Sequence, residues 1–295
     1  MTARSPILLL DGLGFAEGLR WHEGRLWFSD FLVHRVSSRG PDGDVRVEAE
    51  LDDRPSGLGW LPDGRLLVVS MRDRKILRRE ADGTMAVHAD LSSHATGHVN
   101  DMVVDARGRA FAGNFGFDLM GGAPLETASL HRVDPDGTVT EAAADLWFPN
   151  GSVITPDNML IVNETFGNRS TAFDVTEDGD LVNRRVWAEF GPLPTERPID
   201  KVLAQTTVAP DGACLDAEGA VWIADATGER LLRVKEGGEI TEEVRPGSPV
   251  YACALGGADG RTLFACAAPD FNETARTARQ EASLLAIRVT VPAAD

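Results

Sequence analysis

The sequence of 295 residues is poor in cysteine, with only Cys214, Cys253 and Cys266. Their number is odd and none belongs to a Cys-x-x-Cys pair, which argues against a disulfide framework and against a zinc knuckle. Each lies in a short apolar run, so we predict buried, reduced thiols. The sequence also lacks any apolar run near the roughly 20 residues that a membrane-spanning helix needs.

Basic residues are scarce, with 29 Lys and Arg against 46 Asp and Glu, a net charge of −17. Nucleic acid is therefore an improbable partner, because binding phosphates needs clustered positive charge. An acidic surface that keeps the protein in solution explains most of this charge, although it is also compatible with cation binding. The apolar part of the N-terminus, Pro6 to Leu10, is too short for a signal peptide. We expect a cytoplasmic protein that is not membrane-bound, as a monomer or weak homo-oligomer.

Short apolar runs alternate with Asp-Gly turns along the chain, in a unit that recurs six times. Asp-Gly between such runs indicates β-hairpins, because type I′ turns need a positive φ at both central residues. Four runs per unit and six units predict an all-β fold: a six-bladed β-propeller of four-stranded antiparallel blades, spanning 1–295 as a single domain. No amphipathic helix of three turns is evident. We predict that Ser5–Leu10 closes the ring beside Leu284–Val291.

Two segments, Gly113–Ala128 and Gly191–Thr207, lengthen the repeat and carry Gly or Pro. Insertions of this length in a compact domain are often functional. If they lie on the ligand-binding side they can reach the mouth of the central channel; otherwise they are plain surface insertions.

The residues at the head of the first run of each unit occupy equivalent positions. In order they are Glu17, Ser56, Asn100, Asn150, Asp211 and Tyr251. Equivalent positions in a propeller point to one axis, so Glu17, Asn100, Asn150 and Asp211 should bring four side-chain oxygens together. This set predicts one divalent metal ion, with Ca²⁺ favoured and Zn²⁺, Mn²⁺ or Mg²⁺ as alternatives. The competing interpretation is that Glu-Gly, Asn-Gly and Asp-Gly only make turns.

Four segments make the chain resemble the SMP-30/gluconolactonase/luciferin-regenerating family of regucalcin-like propellers. They are AEGLRW from Ala16, VNDMVVD from Val99, FPNG from Phe148 and PDGACLDAEGAVWIA from Pro210. The resemblance covers nearly the whole chain. It implies that Glu17, Asn150 and Asp211 bind the metal, and that Asn100 binds the metal or contacts the substrate, depending on the branch of the family.

The same resemblance implies a lactonase, a hydrolase that opens a sugar lactone or a related small lactone. The attack would start from Asp211 or from a water activated by the metal. Because a fold does not fix a substrate, two alternatives stay open. One is a phosphotriesterase-like or other metal-dependent hydrolase, and the other is a non-catalytic propeller that binds a metal and a metabolite.

Several positions bear on specificity. His98 stands where the animal sugar lactonases of the family have an Arg, and strand alternation puts it on the same side as Asn100. We predict that it contacts substrate or moves a proton, which puts a preference for sugar lactones in doubt. Phe115 is a further candidate for binding substrate. With Phe117 and the Trp147-Phe148 pair it indicates a pocket less polar than one made for a bare sugar, although these side chains could instead pack between blades. Glu164 is also a candidate for binding substrate, but its pairing with Arg169 points to a supporting role.

Overall fold

The computed structural model describes residues 5–294, which form 24 strands and two short helices. The first thirteen strands are β1 (Ile7–Leu13), β2 (Ala16–His22), β3 (Arg25–Asp30), β4 (Arg35–Arg39), β5 (Val45–Glu50), β6 (Pro55–Trp60), β7 (Leu66–Ser70), β8 (Lys75–Arg79), β9 (Met85–Asp90), β10 (Val99–Val104), β11 (Ala110–Asn114), β12 (Ala128–Val133) and β13 (Val139–Leu146). The remaining strands are β14 (Pro149–Ile154), β15 (Met159–Glu164), β16 (Arg169–Val175), β17 (Leu181–Glu189), β18 (Pro210–Leu215), β19 (Val221–Asp225), β20 (Arg230–Val234), β21 (Ile240–Val244), β22 (Val250–Gly256), β23 (Thr262–Ala267) and β24 (Ala282–Arg288).

The strands form six four-stranded antiparallel sheets, which confirms the predicted six-bladed propeller. Five blades consist of four consecutive strands, and the sixth is β22-β23-β24-β1. In this last blade Ile7 lies opposite Ala286 and Leu13 opposite Ala282. The predicted closure of the ring by the two ends of the chain is therefore confirmed, and no seam of unpaired strand edges is left.

The first strands of blades one to six, β2, β6, β10, β14, β18 and β22, contact one another in sequence around the axis. Between successive blades the outer parts of the sheets bury clusters of apolar side chains. Trp187, for example, is 1% exposed between blades four and five, and Trp222 is fully buried between blades five and six. Burial of these clusters fixes the radial position of each blade.

Glycines on the inner strands allow this close packing around the axis. A Cβ on Gly18 would lie 2.4 Å from the backbone oxygen of Ser56, and one on Gly151 would lie 2.3 Å from that of Asp211. Side chains cannot be accommodated at such distances. The Glu-Gly and Asn-Gly pairs are therefore not turns, as the competing interpretation held, but the positions where neighbouring inner strands touch.

The two helices are α1 (Ile199–Gln205), in the insertion before blade five, and α2 (Glu273–Ala278), between β23 and β24. Neither reaches three turns, as the sequence predicts. No helix in the part of the chain that the structure describes is long and apolar enough to cross a membrane. All three cysteines are free thiols; Cys253 and Cys266 are buried and Cys214 is half-buried.

Candidate active site at the mouth of the channel

The four oxygen-bearing residues aligned in the sequence meet at one end of the channel. Glu17, Asn100, Asn150 and Asp211 are each the second residue of an inner strand, and all four line one cavity. The empty space there is about 850 Å³, including its opening to solvent. We call this end the mouth. The propeller thus brings together side chains that are far apart in the sequence.

Glu17 and Asp211 are carboxylic acids in a negatively charged setting, where Asp211 is buried and Glu17 is half-buried. Neither forms an ion pair with an Arg or Lys within residues 5–294. Burial, followed by the charge of Asp101, raises the pKa of Glu17 to about 8. Burial, followed by the charge of Glu17, raises the pKa of Asp211 well above its usual value. A cation bound between the two would offset both effects.

The two amides are held so that oxygens remain for a ligand. Asn150 Nδ2 donates to Thr165 Oγ1 at 3.1 Å, and that hydroxyl donates to the backbone oxygen of Pro210 at 2.9 Å. The Asn150 carbonyl oxygen accepts no hydrogen bond from the described residues. Asn100 Oδ1 accepts only a long bond, 3.4 Å, from Ser56 Oγ. Two carboxylates and two amide oxygens suit a hard divalent cation, so the residues present fit the predicted metal.

His and Cys do not take part in this set. Within residues 5–294 no three His, Cys, Asp or Glu side chains are grouped as a metal site requires. Any cation at the mouth would therefore depend on the amide oxygens of Asn100 and Asn150. Such an all-oxygen set is more typical of Ca²⁺ or Mg²⁺ than of Zn²⁺.

An ion pair beside the site was not predicted from the sequence. Arg20 Nη2 donates to Asp101 Oδ1 at 2.8 Å and to the backbone oxygen of Met102 at 2.6 Å. Asp101 thus contributes a third carboxylate near Glu17, but one already neutralised. A signal was present, because Asp101 follows Asn100 where Gly18, Gly57, Gly151 and Gly212 follow the aligned residues of other blades.

Six aromatic side chains form a large part of the wall around the four oxygens. They are Phe15, Phe31, Phe115, Phe148, Phe166 and Tyr251. Sequence reasoning found Phe115 and suspected Phe148, but it missed the others. The repeat held the signal: the residue directly after the second strand lines the cavity in blades one to five, as Phe31, Met71, Phe115, Thr165 and Ala226.

His98 lines the cavity together with Asn100, as strand alternation predicts. Its ring lies 5.4 Å from that of Phe115, measured between centroids. Burial, followed by the positive charge of Arg54, lowers the pKa of His98. The imidazole is therefore neutral near pH 7, and its ring makes no hydrogen bond to the described residues.

Glu164 lies behind the wall and does not line the cavity. It is fully buried, its Oε1 is 2.8 Å from Arg169 Nε, and its Oε2 accepts from the backbone N–H of Trp147 at 2.7 Å. It therefore lies outside the cavity, in the supporting role that the pairing with Arg169 indicates rather than in contact with a substrate. The pairing with Arg169 is as expected, and it supports the segment that carries Phe148.

Both insertions reach the mouth, as the sequence suggests. The first contributes Leu119 and Met120, and the second contributes Ile199 and Leu203 from α1. A third segment, just before and at the start of α2, was missed. It contributes Phe271 and Glu273. The long gap between the predicted strands of the sixth repeat was the available signal for this segment.

The chain is similar in sequence to known proteins. A profile of the SMP-30/Gluconolactonase/LRE-like region matches residues 15–268. A pentonolactonase of Haloferax volcanii is 29% identical over 84% of this chain and 79% of its own length. A 6-deoxy-6-sulfogluconolactonase of Pseudomonas putida is 27% identical over 90% of this chain and 88% of its own.

Solved structures share the fold. A regucalcin described as a calcium-binding protein, from Agrobacterium tumefaciens, superposes with a TM-score of 0.78 and 22% identity, covering 99% of this chain and 96% of its own. A gluconolactonase of Xanthomonas campestris gives a TM-score of 0.74 and 24% identity, covering 98% and 92%. At these identities the likeness extends to the propeller, and it leaves the chemistry at the mouth to be argued from the residues.

Proposed function

Because the chain belongs to the SMP-30/gluconolactonase/LRE-like family, we propose that it is a lactonase that depends on a divalent cation held by Glu17, Asn100, Asn150 and Asp211. The observation that carries the proposal is the pair of acids, the half-buried Glu17 and the buried Asp211, neither of which forms an ion pair with an Arg or Lys among the described residues. Two lactonases among its relatives support the reaction class. Oxygen donors favour Ca²⁺, with Mg²⁺ or Mn²⁺ next.

The chemistry is addition of water to the ester carbonyl. A bound cation would supply Lewis acidity, which polarises that carbonyl. Asp211 has two carboxylate oxygens, so one can hold the cation while the other accepts the proton of the attacking water. The bond between the carbonyl carbon and the ring oxygen then breaks, and the ring oxygen takes the proton from Asp211. The product is a hydroxy acid, whose ionisation releases the proton that an assay can follow. His98, neutral and unpaired on the wall, donates a hydrogen bond to a substrate oxygen.

The test starts from protein stripped with EDTA. Ring opening is followed by proton release on a panel of sugar, alkyl and aryl lactones, with Ca²⁺, Mg²⁺, Mn²⁺ or Zn²⁺ added back. We expect at least one lactone to be opened only when a cation is present, and Glu17→Gln to abolish the reaction. If no lactone is opened with any of the four cations, the proposal is wrong and the non-catalytic alternative gains.

A further inference from the structure

The walls above the cation-binding residues are built from two fixed groups of aromatic rings. On one side Phe148 stacks on Phe115 with 4.5 Å between centroids and lies 4.9 Å from Phe166. These three residues belong to blades three and four. On the other side Phe15 lies 4.8 Å from Phe31 and 4.7 Å from Tyr251. Those belong to blades one and six, which face blades three and four across the axis.

The rim of the mouth is apolar as well. Met120 is 40% exposed and Phe271 is 46% exposed, and both line the cavity where it opens to solvent. Ile199 and Leu203 of α1 continue this surface. Large exposed apolar side chains grouped around a cavity are typical of a site that binds an apolar ligand.

Polar groups of the wall are mostly used by the fold. The Thr165 hydroxyl has Asn150 and Pro210 as partners, and Arg54 pairs with Glu273 while lying 5.9 Å from the Phe31 ring centroid. His98, the Tyr251 hydroxyl and the Asn100 amide nitrogen are the lining groups left to bond a substrate hydroxyl among those described. A sugar lactone carries several hydroxyls, and those that face the aromatic rings and the apolar rim would leave water without gaining a partner. An alkyl chain or aromatic ring, in contrast, gains from burial against the walls.

We infer that the substrate is a lactone that carries an alkyl or aryl substituent, rather than a polyhydroxylated sugar lactone. The ester group faces the four oxygens, and the substituent lies between the two aromatic groups. This inference rests on the proposed function for its reaction, but its claim about ligand class is tested separately from turnover.

The first experiment compares two δ-lactones of the same ring size, δ-decanolactone and glucono-δ-lactone. Each kcat/KM is divided by the uncatalysed rate constant, because the two rings differ in intrinsic reactivity. We expect a preference for the alkyl lactone of about 100-fold or more, since even one methylene in an apolar pocket is worth about 10-fold. An equal rate or a preference for the sugar lactone overturns the inference and leaves the lactonase standing.

A variant assigns the preference to the wall. Phe115→Asn should lower kcat/KM for δ-decanolactone about 10-fold or more, while that for glucono-δ-lactone stays or rises. Phe173→Leu is the matched control, because Phe173 is 2% exposed in the core between blades three and four, away from the cavity. It should lower Tm without changing the ratio between substrates. A Phe115→Asn variant with an unchanged ratio contradicts the inference.

Binding of lactams, which the protein cannot readily hydrolyse, separates ligand class from reaction. Calorimetry would compare an alkyl-substituted δ-valerolactam with gluconolactam on Ca²⁺-loaded protein. Tighter binding of the alkyl lactam supports the ligand class. If no lactone is opened at the same time, only the proposed reaction is contradicted. Tighter binding of gluconolactam overturns the ligand class, whatever the turnover experiments give.

Discussion

The carboxylates on and next to the inner strands differ in their pairing along the channel. At the mouth Glu17 and Asp211 have no Arg or Lys partner within residues 5–294. Asp101, beside them, is 2.8 Å from Arg20, and Asp105, just after the far end of β10, is 2.6 Å from Arg109. An unpaired buried carboxylate destabilises the folded state, so it is retained where a ligand supplies the missing charge. Pairing thus separates the acids that hold the fold from those that we propose to bind a cation.

The two ends of the channel also differ in the segments that cover them. At the far end the backbone of the C-terminal segment crosses blade five, where the N–H of Ala217 donates to the oxygen of Pro292 at 2.9 Å and the N–H of Ala294 to the oxygen of Leu215 at 3.1 Å. At the mouth the two insertions are joined to each other by a backbone hydrogen bond, from the N–H of Leu125 to the oxygen of Arg197 at 2.8 Å, and they contribute side chains to the cavity. The C-terminal segment at the far end therefore ties strands of the propeller together, while the insertions at the mouth line the space where a substrate would bind.

The largest expected effect comes from Asp211→Asn. We expect kcat/KM on any accepted lactone to fall about 10³-fold or more, since the variant loses both a base and a ligand. Binding of Ca²⁺, measured by calorimetry, should weaken strongly. The Tm of the metal-free protein should rise or stay, because one of two mutually repelling acids is removed.

Asp105→Asn at the far end is the matched control and should give the reverse pattern. It breaks the contact with Arg109, so Tm should fall while Ca²⁺ binding and kcat/KM are kept. If Asp211→Asn lowers the metal-free Tm as Asp105→Asn does, the distinction between the two kinds of acid fails.

Arg20→Met tests the boundary between the two ends. It leaves Asp101 largely buried without its partner, and we expect the metal-free protein to lose about 2 kcal/mol of unfolding free energy, less than the 3–5 kcal/mol of a fully buried pair because Arg20 is partly exposed. The added negative charge should tighten Ca²⁺ binding. Urea unfolding in EDTA and calorimetry measure the two effects.

The double variant Arg20→Met with Asp101→Asn should restore most of the lost stability and the original Ca²⁺ affinity. A single variant as stable as the wild type would mean that the pair does not contribute, and that Asp101 belongs with the unpaired acids of the mouth.

Gly151→Ala compares an inner-strand glycine with one at a turn. A methyl group at Gly151 would lie 2.3 Å from the backbone oxygen of Asp211, so blades four and five must move apart; we expect a loss of about 1–3 kcal/mol and weaker Ca²⁺ binding. Gly64, with a φ of +85° and open space around it, is the control. Gly64→Ala should cost about 1 kcal/mol and leave Ca²⁺ binding unchanged. Urea unfolding and calorimetry check both, and equal Ca²⁺ affinities would contradict the close-contact role.

The repeat made the fold predictable, because Asp-Gly turns and the six aligned residues fix both the blades and the axis. It also predicted which side chains meet at the mouth, since equivalent positions in a closed ring must converge. The pairing of Arg20 with Asp101 could not be predicted, because the aligned pattern marks where a side chain starts and not which partner it reaches. The direction of the Glu164 side chain could not be predicted for the same reason: the residue stands at the end of a strand near the mouth, but its carboxylate pairs with Arg169.

The last expected effect is on pH dependence, and it again separates the two ends. The pKa of Glu17 is raised from 4.5 to about 8 in the folded protein, so folding favours its protonated form. This contribution to stability is fully present below pH 4.5 and is lost as the pH rises towards 8.

The experiment measures Tm in EDTA between pH 5 and pH 8 for the wild type and for Glu17→Gln. We expect the Tm of the wild type to fall more over this range than that of the variant, and the difference is the part due to Glu17. Asp105→Asn should keep the wild-type slope, because it leaves Glu17 and Asp211 in place. Saturating Ca²⁺ should remove the fall, since the cation takes the place of the proton between Glu17 and Asp211. A wild-type slope equal to that of Glu17→Gln would show that Glu17 is not held in a buried, repelling pair, and the contrast between the two ends would then rest on Asp211 alone.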